Sequence, residues 1–523
     1  MISQIYEQFL GQLIDLKVKN PNQLNKTKRA FANAQKSGMP TNAELLALYR
    51  EMVKLKKIEK NIDLEKLLLK RKVRTMSGVA PVAVLTKPFP CPGKCAFCPT
   101  EKKMPKSYLS NEPAVMRAIT LKFDPFRQVF ERIKALEANG HSTAKVELII
   151  MGGTWSYFPR KYQAWFVKRC FDACNGKTSK NISDAHKLNE KAKHRIVALT
   201  LETRPDYVDQ DEVDFFRKLG ATKVELGVQA IDDKILKLNK RGHGVAEIIS
   251  ATKLFRQAGF KICYHIMPGL PGSTPATDLK LFKKMFSDKN FQPDFLKIYP
   301  TVVTRDAEIY KWWKTGKYKP YSEKQLFNLL LKMKAAVPDH VRIIRLIRDI
   351  PKESIAAGNM ITNLREALQK KLIELGTPCQ CIRCREARED ISDLKSAKLS
   401  IEKYPAADGT EYFLQFTSKD KLRLFAFLRL RLPANSRTEV RGKMDAMIRE
   451  VHTYGRLVPI QGNARGAAQH QGLGTRLTAE AEKIAKAKGF SRMAVIAGVG
   501  VRGFYRKLGY RLAGTYMVKS LAD

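Results

Sequence analysis

The sequence lacks any long apolar run, and no stretch reaches the about 20 consecutive apolar residues that a membrane-spanning helix requires. Its opening residues, MISQIYEQFLGQLIDLKVKN, lack the basic-then-apolar order of a secretory signal peptide. Acidic residues are also scarce, 51 against 95 basic ones. These absences predict a cytoplasmic chain without a membrane partner, where disulfide bonds are rare.

What is present indicates a large globular protein. The chain has 523 residues, of which 44% are hydrophobic and 9% aromatic, too many for a disordered polypeptide. At roughly 150 residues per domain, this length predicts three or four units. The net charge of +44 favours a polyanionic partner, nucleic acid above all, with a general surface excess as the alternative.

Short apolar runs alternate with amphipathic stretches of helical length from residue 79 to about residue 299. This rhythm is typical of parallel strands joined by crossover helices. Each predicted strand ends at a Gly, Glu, Arg, Gln or Pro motif, and parallel barrels carry their sites at the carboxyl ends of their strands. The predicted fold class is therefore α/β and multidomain, with a partial (β/α) barrel in residues 75–342.

Three other regions differ in character from this barrel. Residues 1–74 predict a basic helical region that ends in KRKVR; it is interpreted as a nucleic-acid surface, although a charge run can also be a solvated face. Residues 343–400 form a charged connector. Residues 401–523 begin with strand-like segments and continue with a glycine-rich turn and alternating helices and strands.

Three cysteines lie in one short loop: Cys91, Cys95 and Cys98. Three thiolates can hold three irons of a [4Fe–4S] cluster and leave the fourth iron open. The spacing of three and then two residues, with an aromatic residue before the last cysteine, resembles the signature of radical S-adenosylmethionine (SAM) enzymes. In those enzymes, the methionyl amino and carboxylate groups bind the open iron. A structural zinc loop or an ordinary ferredoxin-like centre is the alternative.

The predicted strands supply contacts for SAM where they end. Paired glycines let the backbone approach a ligand amino group closely. Opposite charges at a strand end suit ribose hydroxyls and the methionine carboxylate. The turn at residues 267–272 can pack on adenine. The predicted SAM-binding residues are Gly152, Gly153, Thr154, Glu202, Arg204 and Gln229.

A glycine-rich segment, residues 469–475, leads directly into a predicted helix. Successive N–H groups at such a helix start can bind a pyrophosphate. The pattern Q-x-x-G-x-G in a strand–loop–helix context resembles the acyl-CoA loop of GNAT proteins. Tyr505 follows at the distance where those proteins place a tyrosine beside the thioester sulfur, able to donate a proton. A packed aromatic residue is the alternative.

A second cysteine set, Cys379, Cys381 and Cys384, lies in the connector. Its spacing predicts a zinc site with a fourth ligand from elsewhere, and a second iron–sulfur cluster is the alternative. His340 is a candidate fourth ligand that we do not adopt, because a lone histidine is more often a satisfied core or surface residue. The remaining cysteines are predicted to be core residues: Cys170, Cys174 and Cys263.

In their order along the chain, these motifs resemble the Elongator catalytic subunit family, the tRNA uridine(34) acetyltransferases, with the compact cysteine spacing of its prokaryotic members. The resemblance covers about residues 73–521. It implies a radical SAM partial (β/α) barrel, a C-terminal GNAT α/β domain and a metal-binding connector. The segments that carry it include CPGKCAFCPT, VELIIMGGT, LETRPDYVD, ELGVQA, MPGLPG, REVHTYG and QHQGLG.

The resemblance implies an acyltransferase-class radical SAM enzyme. Such an enzyme uses acetyl-CoA and a SAM-derived radical to install a carboxymethyl group at C5 of the wobble uridine of tRNA. Its implied cofactors are the [4Fe–4S] cluster, SAM, the co-substrate acetyl-CoA and zinc. Its implied partners are tRNA and an electron donor for the cluster, and a homodimer is left open.

The resemblance also implies site residues. Tyr505 and Lys145 correspond to catalytic positions, and Lys297 and Tyr299 are weaker candidates for handling substrate. The implied acetyl-CoA contacts are Lys145, Glu450, Val451, His452, Thr453, Leu473, Gly474, Thr475 and Tyr505.

Two other functions compete with this interpretation. The GNAT motif alone favours a protein lysine acetyltransferase with a structural iron–sulfur site. The charge alone favours a nucleic-acid-binding module with a structural metal and a degenerate acyl-CoA fold. Neither alternative uses the cysteine loop, the ordered strand ends and the charge together.

Overall fold

The computed structural model describes residues 2–35, 38–69, 77–361, 363–388, 392–434, 445–454 and 472–522. The predicted basic run at residues 70–74 lies outside these ranges, as do residues 469–471 of the predicted glycine-rich segment. Within them, no helix is both long enough and apolar enough to cross a membrane.

Four helices precede the first strand: α1 (Ile2–Asp15), α2 (Pro21–Ala34), α3 (Asn42–Lys54) and α4 (Ile62–Leu68). Side chains cap three of them, because the first N–H groups of a helix have no partner within it. Asn20, Thr41 and Asn61 accept these N–H groups at the starts of α2, α3 and α4. The apolar faces form a small core of their own, which includes Phe9 and Tyr49. The helices predicted for this region are thus present.

The strands of the central region are β1 (Ala80–Leu85), β2 (Lys145–Met151), β3 (Arg195–Thr203), β4 (Lys223–Gln229), β5 (Lys261–Ile266), β6 (Phe295–Ile298), β7 (Val303–Thr304) and β8 (Arg342–Arg345). All except β7 form one parallel sheet in the order β1-β2-β3-β4-β5-β6-β8. Every residue of β5 is buried, as expected for a parallel strand covered on both faces. The predicted partial barrel is confirmed.

The helices of this region are α5 (Pro113–Thr120), α6 (Pro125–Ala138), α7 (Arg160–Asn175), α8 (Ile182–Asn189), α9 (Gln210–Lys218), α10 (Asp233–Leu238), α11 (Val245–Gln257), α12 (Pro275–Ser287), α13 (Ile309–Lys314) and α14 (Glu323–Ala335). Cys170 and Cys174 lie buried on α7, and Cys263 lies buried on β5, so the predicted core cysteines are core residues.

The connector contains β9 (Ile355–Ala357), α15 (Leu364–Glu374) and α16 (Ile382–Arg385). Strand β9 pairs antiparallel with β7. The predicted domain division between residues 342 and 343 falls inside β8, which pairs with β6 up to Arg345. The barrel sheet therefore extends into the predicted connector.

The C-terminal elements are β10 (Lys398–Pro405), β11 (Gly409–Thr417), β12 (Leu424–Pro433), β13 (Asp445–Thr453), α17 (Leu473–Ala487), β14 (Arg492–Val495), α18 (Arg502–Lys507), β15 (Arg511–Ala513) and β16 (Tyr516–Ser520). The strands form a second sheet in the order β10-β11-β12-β13-β14-β16-β15, antiparallel except for the β13–β14 pair. This is the predicted α/β arrangement of a GNAT domain.

Two kinds of contact join the C-terminal domain to the barrel. Gly498 and Gly500 lie against the backbone of β3, where a Cβ on either glycine would collide with that strand. A buried ion network crosses the same junction: Asp294 accepts hydrogen bonds from Arg256 and Arg449, and Arg449 also bonds Glu411. The two domains are therefore in direct contact at these positions, through close backbone packing and buried ion pairs.

Candidate active site between two domains

The first cysteine loop lies between β1 and α5, at the carboxyl end of the barrel. Cys95 is buried, and its Sγ accepts hydrogen bonds from Nη1 of Arg241 at 3.1 Å and of Arg204 at 3.8 Å. The Sγ of Cys91 lies 3.7 Å from Oγ1 of Thr154. Burial and the neighbouring Cys95 raise the pKa of the Cys98 thiol to about 11. The guanidinium groups provide positive charge that a set of ligating thiolates needs.

The donor set of this loop fits an iron–sulfur cluster. The second cysteine set brings its sulfur atoms within 4.8 Å of one another, whereas the described residues Cys91, Cys95 and Cys98 form no such single-ion group. Gly93 lies so close to Arg204 that a Cβ at this position would collide with the guanidinium. The absence of a side chain at Gly93 thus lets the Arg204 guanidinium approach Sγ of Cys95.

A pocket of about 150 Å³ opens beside Cys98. Glu202 and Gln229, two of the predicted SAM contacts, line it together with Tyr108 and His265. Tyr108 donates a hydrogen bond to Glu202 at 3.2 Å. Gln229 has a positive φ of 68°, and its Oε1 is buried without a hydrogen-bond partner in the structure described. An unsatisfied buried amide oxygen at a pocket wall fits a ligand that donates hydrogen bonds.

The other predicted SAM contacts border the cysteine loop instead. Gly152 and Gly153 end β2 with φ values of 141° and 96°, a backbone conformation that favours glycine. Thr154 faces Cys91. Arg204 forms a two-pronged ion pair with Asp206, at 2.9 and 2.6 Å, and also bonds a backbone carbonyl. Its fork is therefore directed at Asp206 and the loop, and not at the pocket.

A chain of charged side chains crosses the barrel interior below this pocket. Lys297 forms an ion pair with Glu225, and Nε2 of His265 lies 2.9 Å from Oε2 of the same carboxylate. Nδ1 of His265 lies 3.6 Å from Oε1 of Glu202. Burial opposes both charges, yet Lys297 lowers the pKa of Glu225 well below its ordinary value, and Glu225 raises the pKa of Lys297.

Sequence reasoning proposed Lys297 and Tyr299 but missed Glu225 and His265. The available signal was an ionisable residue in the middle of a buried parallel strand, with apolar residues on both sides of it in the sequence. Strand register places His265 beside Lys297 on neighbouring strands. Tyr299 lines the pocket, and burial raises its pKa.

A larger cavity, of about 1430 Å³, lies between the opposite end of the barrel and the C-terminal domain. The two cavities meet inside the barrel, because they share four lining residues: Met151, Lys297, Arg345 and Asp349. The barrel side carries a collar of basic residues, each of which opens a strand: Lys145, Arg195, Lys223, Lys261 and Arg342. Burial lowers the pKa of Lys145, and it lowers that of Lys261 to about 8.

The domain side of this cavity presents an open stretch of strand. Strand β13 pairs with β14 only from Asp445 to Ile448, although it continues to Thr453. Residues 450–453 line the cavity beyond that pairing. Glu450 accepts a hydrogen bond from Arg429 at 3.0 Å. His452 contacts the Ser77 carbonyl through Nε2 at 2.6 Å, and burial lowers its pKa.

The start of α17 completes that wall. Gly472 is the N-cap residue, with φ 71°, and Gly474 lies beside Val451 and Thr453, where a Cβ would stand 3.7 Å from Val451 Cγ1. Gly474 and Thr475 line the cavity, whereas the predicted contact Leu473 packs its side chain into the domain core. Tyr505 is buried at the cavity wall, and burial raises its pKa.

The second cysteine set lies at the junction between β8 and the C-terminal sheet. The Sγ atoms of Cys379, Cys381 and Cys384 lie within 4.8 Å of one another, which suits a single ion. Hydrogen bonds from Cys379 and Cys384 lower the pKa of Cys381 well below its usual range. His340 is not part of this group: its Nδ1 lies 3.0 Å from Glu402, and its ring stacks on Tyr404.

Comparison with known proteins matches the barrel to two family models and most of the chain to named relatives. The family model "Radical SAM superfamily" matches residues 90–285, and "Radical_SAM C-terminal domain" matches residues 293–374. The tRNA uridine(34) acetyltransferase of Methanocaldococcus infernus is 45% identical over 499 residues, covering 92% of each chain. Elongator complex protein 3 of Homo sapiens is 38% identical over 467 residues, 86% of this chain and 85% of that protein.

A solved structure agrees with these relatives. The archaeal Methanocaldococcus infernus Elp3 with an N-terminal deletion superposes with a TM-score of 0.74 at 42% identity, covering 85% of this chain and 99% of that one. The predicted resemblance to the Elongator catalytic subunit family is confirmed. With the radical SAM domain come a [4Fe–4S] cluster and SAM as its cofactors. This chain belongs to the family of the tRNA uridine(34) acetyltransferases and Elongator complex protein 3.

Proposed function

We propose that this enzyme joins the methyl carbon of acetyl-CoA to C5 of the wobble uridine of tRNA in place of the C5 hydrogen, which leaves as a proton while one electron returns to the redox centre that started the reaction, and that thioester hydrolysis then leaves a carboxymethyl group. Uridine C5 offers no acidic or nucleophilic group, so a carbon–carbon bond there calls for a radical route. The observation that carries the proposal is the pair of cavities that enter one barrel from opposite ends and share Lys297 among their lining residues. The printed name of the relatives, tRNA uridine(34) acetyltransferase, supports the substrate.

The carboxyl end of the barrel is assigned to radical generation. A [4Fe–4S] cluster with SAM supplies, when bound, the 5′-deoxyadenosyl radical that takes hydrogen from the acetyl methyl group. Cys91, Cys95 and Cys98 would hold three irons. Arg241 stabilises the charge on Cys95 by its hydrogen bond to Sγ.

SAM is assigned to the same end of the barrel. Gly152, Gly153 and Thr154 leave room for its methionyl amino group beside Cys91. Glu202 accepts hydrogen bonds from ribose hydroxyls, and Gln229 presents an unsatisfied oxygen to the ligand. We assign Arg204 to positioning the cysteine loop, because its guanidinium bonds Asp206 and Cys95.

The larger cavity is assigned to acetyl-CoA. Its pyrophosphate would bind the N–H groups at the start of α17, around Gly474 and Thr475, where the helix dipole favours an anion. The pantetheine arm would lie along the edge of β13 at residues 450–453, which pairs with β12 but is left open on the β14 side. Tyr505 would donate its proton to the departing thiolate, because burial keeps the phenol protonated at neutral pH. Lys145 and the rest of the basic collar attract the anionic cofactor.

The second cysteine set is assigned to zinc. Three thiols within reach of one ion, two of them buried and Cys384 half-buried, at the junction of connector and C-terminal domain fit a structural site. The basic N-terminal helices and the net charge of +44 are assigned to the tRNA backbone.

The experiment that tests the proposed function is anaerobic reconstitution. The purified chain is loaded with iron and sulfide and mixed with reductant, SAM, acetyl-CoA and unmodified tRNA; the tRNA is then digested and analysed by mass spectrometry. Carboxymethyluridine that appears only when all components are present is the expected result. An intact cluster that cleaves SAM without forming this product would contradict the acetyl-CoA and uridine assignments. A protein lysine acetyltransferase would instead acetylate a peptide without SAM.

A further inference from the structure

The short helix α13 and the turn after it combine aromatic and basic residues in the sequence IYKWWKTGK. Tyr310, Trp312 and Trp313 lie half-buried at the rim of a small apolar core around Val303 and Ile309. None of the elements of the proposed reaction uses them. The chain holds four tryptophans, and two of them, Trp312 and Trp313, are adjacent here. Partly exposed indole rings suit a ligand with a flat apolar face.

This helix is attached directly to the first cysteine loop. The N–H of Ile309 donates to the carbonyl of Ala96 at 2.8 Å, and the N–H of Thr100 donates to the carbonyl of Asp306 at 2.9 Å. Phe97, between the second and third cysteines, packs against the same aromatic cluster. The aromatic surface therefore borders the end of the barrel where the pocket opens.

The rings are arranged with a cation over them. The ring centroids of Tyr310 and Trp313 are 5.7 Å apart, and Nζ of Lys314 lies 5.2 Å from the Trp313 centroid and 5.9 Å from that of Tyr310. Because Lys314 is exposed, its long side chain can move aside and pair with a phosphate while a base takes its place on the ring.

The surroundings carry the charge that such a partner needs. Glu308, the acidic residue at the start of α13, is neutralised by an ion pair with Lys240. Exposed lysines occur on both the cysteine loop and the helix: Lys94, Lys102, Lys103, Lys311, Lys314 and Lys317.

We propose that Tyr310, Trp313 and Lys314, here named the aromatic platform, stack an unpaired base of the anticodon loop next to uridine 34. This inference rests on the proposed function and names the surface that holds its RNA substrate. Single-stranded loops expose base faces that a duplex hides, and proteins bind such bases with aromatic side chains next to a basic path for the backbone. A base held beside the cysteine loop would present its neighbour to the barrel.

The test measures binding of an RNA anticodon stem-loop with uridine at position 34, at fixed salt, by fluorescence anisotropy. We expect Trp313→Ala to weaken binding about tenfold, Trp313→Leu to weaken it similarly, and Trp313→Phe to retain most of the affinity. Trp165→Ala is the matched control, since this tryptophan is 45% exposed on α7 and lies outside the aromatic cluster of α13, and it should bind as the wild type does.

Paired changes in protein and RNA separate stacking from charge. An abasic nucleotide at position 33 or 35 should weaken binding to the wild type and have no further effect on Trp313→Ala. Independently of any variant, a stem-loop with 4-thiouridine at position 33 or 35 should crosslink to a peptide within residues 309–319 of the wild-type chain.

The outcomes distinguish this inference from the proposed function. If the wild type binds the stem-loop and forms carboxymethyluridine while Trp313→Ala binds equally well, or if crosslinks map only elsewhere, the platform is wrong and the function stands. If Trp313→Ala and the abasic nucleotide weaken binding additively, the base does not stack on Trp313. The lysines then hold the RNA by charge alone, and the stacking role is wrong. If the wild type does not bind the stem-loop at all, both fail.

Discussion

The two cysteine sets use the same residue type at similar spacing, yet the structure treats them differently. In the first, the sulfur atoms do not all lie within 4.8 Å of one another, two guanidinium groups donate to Cys95, and a pocket opens beside Cys98. In the second, the three sulfur atoms lie within 4.8 Å of one another, and neither large cavity reaches them.

On the assignments proposed above, sulfur arrangement and surroundings, rather than the number of cysteines, separate the reactive centre from the structural one. A cluster that must bind a ligand needs open space and positive charge around it. A single structural ion needs closely spaced donors and closure from solvent. We therefore expect loss of the first set to remove activity, and loss of the second to lower stability.

The largest effect is expected from Cys95→Ala. Removing one of three iron ligands should abolish cluster loading and reduce carboxymethyluridine to background, while the thermal unfolding midpoint changes little. Iron content and product analysis check this. The matched control is Cys174→Ala, a buried cysteine on α7 outside both sets, which should load iron and form product normally. Full activity in Cys95→Ala would remove the basis of the comparison.

The buried ion network around Asp294 also stabilises the junction near the second cysteine set. The contribution of this network to the free energy of unfolding must therefore be measured separately from that of the cysteines. Burial opposes ionisation of Asp294, but Arg256 and Arg449 lower its pKa far below the ordinary value. We expect Asp294→Asn to leave buried arginines uncompensated and to reduce the free energy of unfolding by about 3–5 kcal/mol. Denaturant unfolding checks this, with the exposed Asp63→Asn as the control. Equal unfolding midpoints would show that the arginines are compensated elsewhere.

Cys381→Ala should show the opposite profile to Cys95→Ala. We expect loss of bound zinc and a reduction in unfolding free energy of about 2–3 kcal/mol, because one donor to a buried structural ion is gone. At low temperature, the folded fraction should still cleave SAM. Zinc content, denaturant unfolding and 5′-deoxyadenosine formation are the measurements. A variant that keeps its stability but loses SAM cleavage would assign the second set to chemistry.

Sequence reasoning found the parts of the site that lie in loops and at strand ends. Glu202 and Gln229 meet at one pocket because the carboxyl ends of parallel strands share an edge of the sheet. Local spacing likewise predicted the cysteine loop and the start of α17. It did not predict how far apart these two sites lie along the barrel, since that distance depends on how the two domains pack.

What escaped sequence reasoning depends on register and on long-range pairing. Glu225 meets Lys297 and His265 only because β4, β5 and β6 align in one register, which no local pattern encodes. Arg241 reaches Cys95 from a loop 146 positions away. For the same reason Leu473, adjacent to two cavity-lining residues, turns its side chain into the core.

A smaller effect is expected from disturbing the contact between the Arg204 guanidinium and Sγ of Cys95 in the first cysteine set. At Gly93, a methyl group would displace the Arg204 guanidinium that faces Cys95. We expect Gly93→Ala to slow SAM cleavage about tenfold, equivalent to about 1.4 kcal/mol. Chromatography of 5′-deoxyadenosine measures the rate. Gly11→Ala, at a helical glycine with open space around it, is the control and should be unchanged; equal rates for both variants would contradict the role of this contact.

The smallest effect concerns the pH dependence of stability and His340, which lies beside the C-terminal sheet and belongs to neither cysteine set. Burial, followed by the nearby Arg429, lowers the pKa of His340 to about 3. Between pH 7 and 5.5 the unfolded chain takes up a proton here and the folded chain does not, so acidification favours unfolding by about 1 kcal/mol. His340→Gln should lose this part of the pH dependence, whereas Cys95→Ala should keep it. Denaturant unfolding at the two pH values measures the difference, and parallel pH profiles for wild type and His340→Gln would show that this histidine takes up its proton equally in the folded and the unfolded chain.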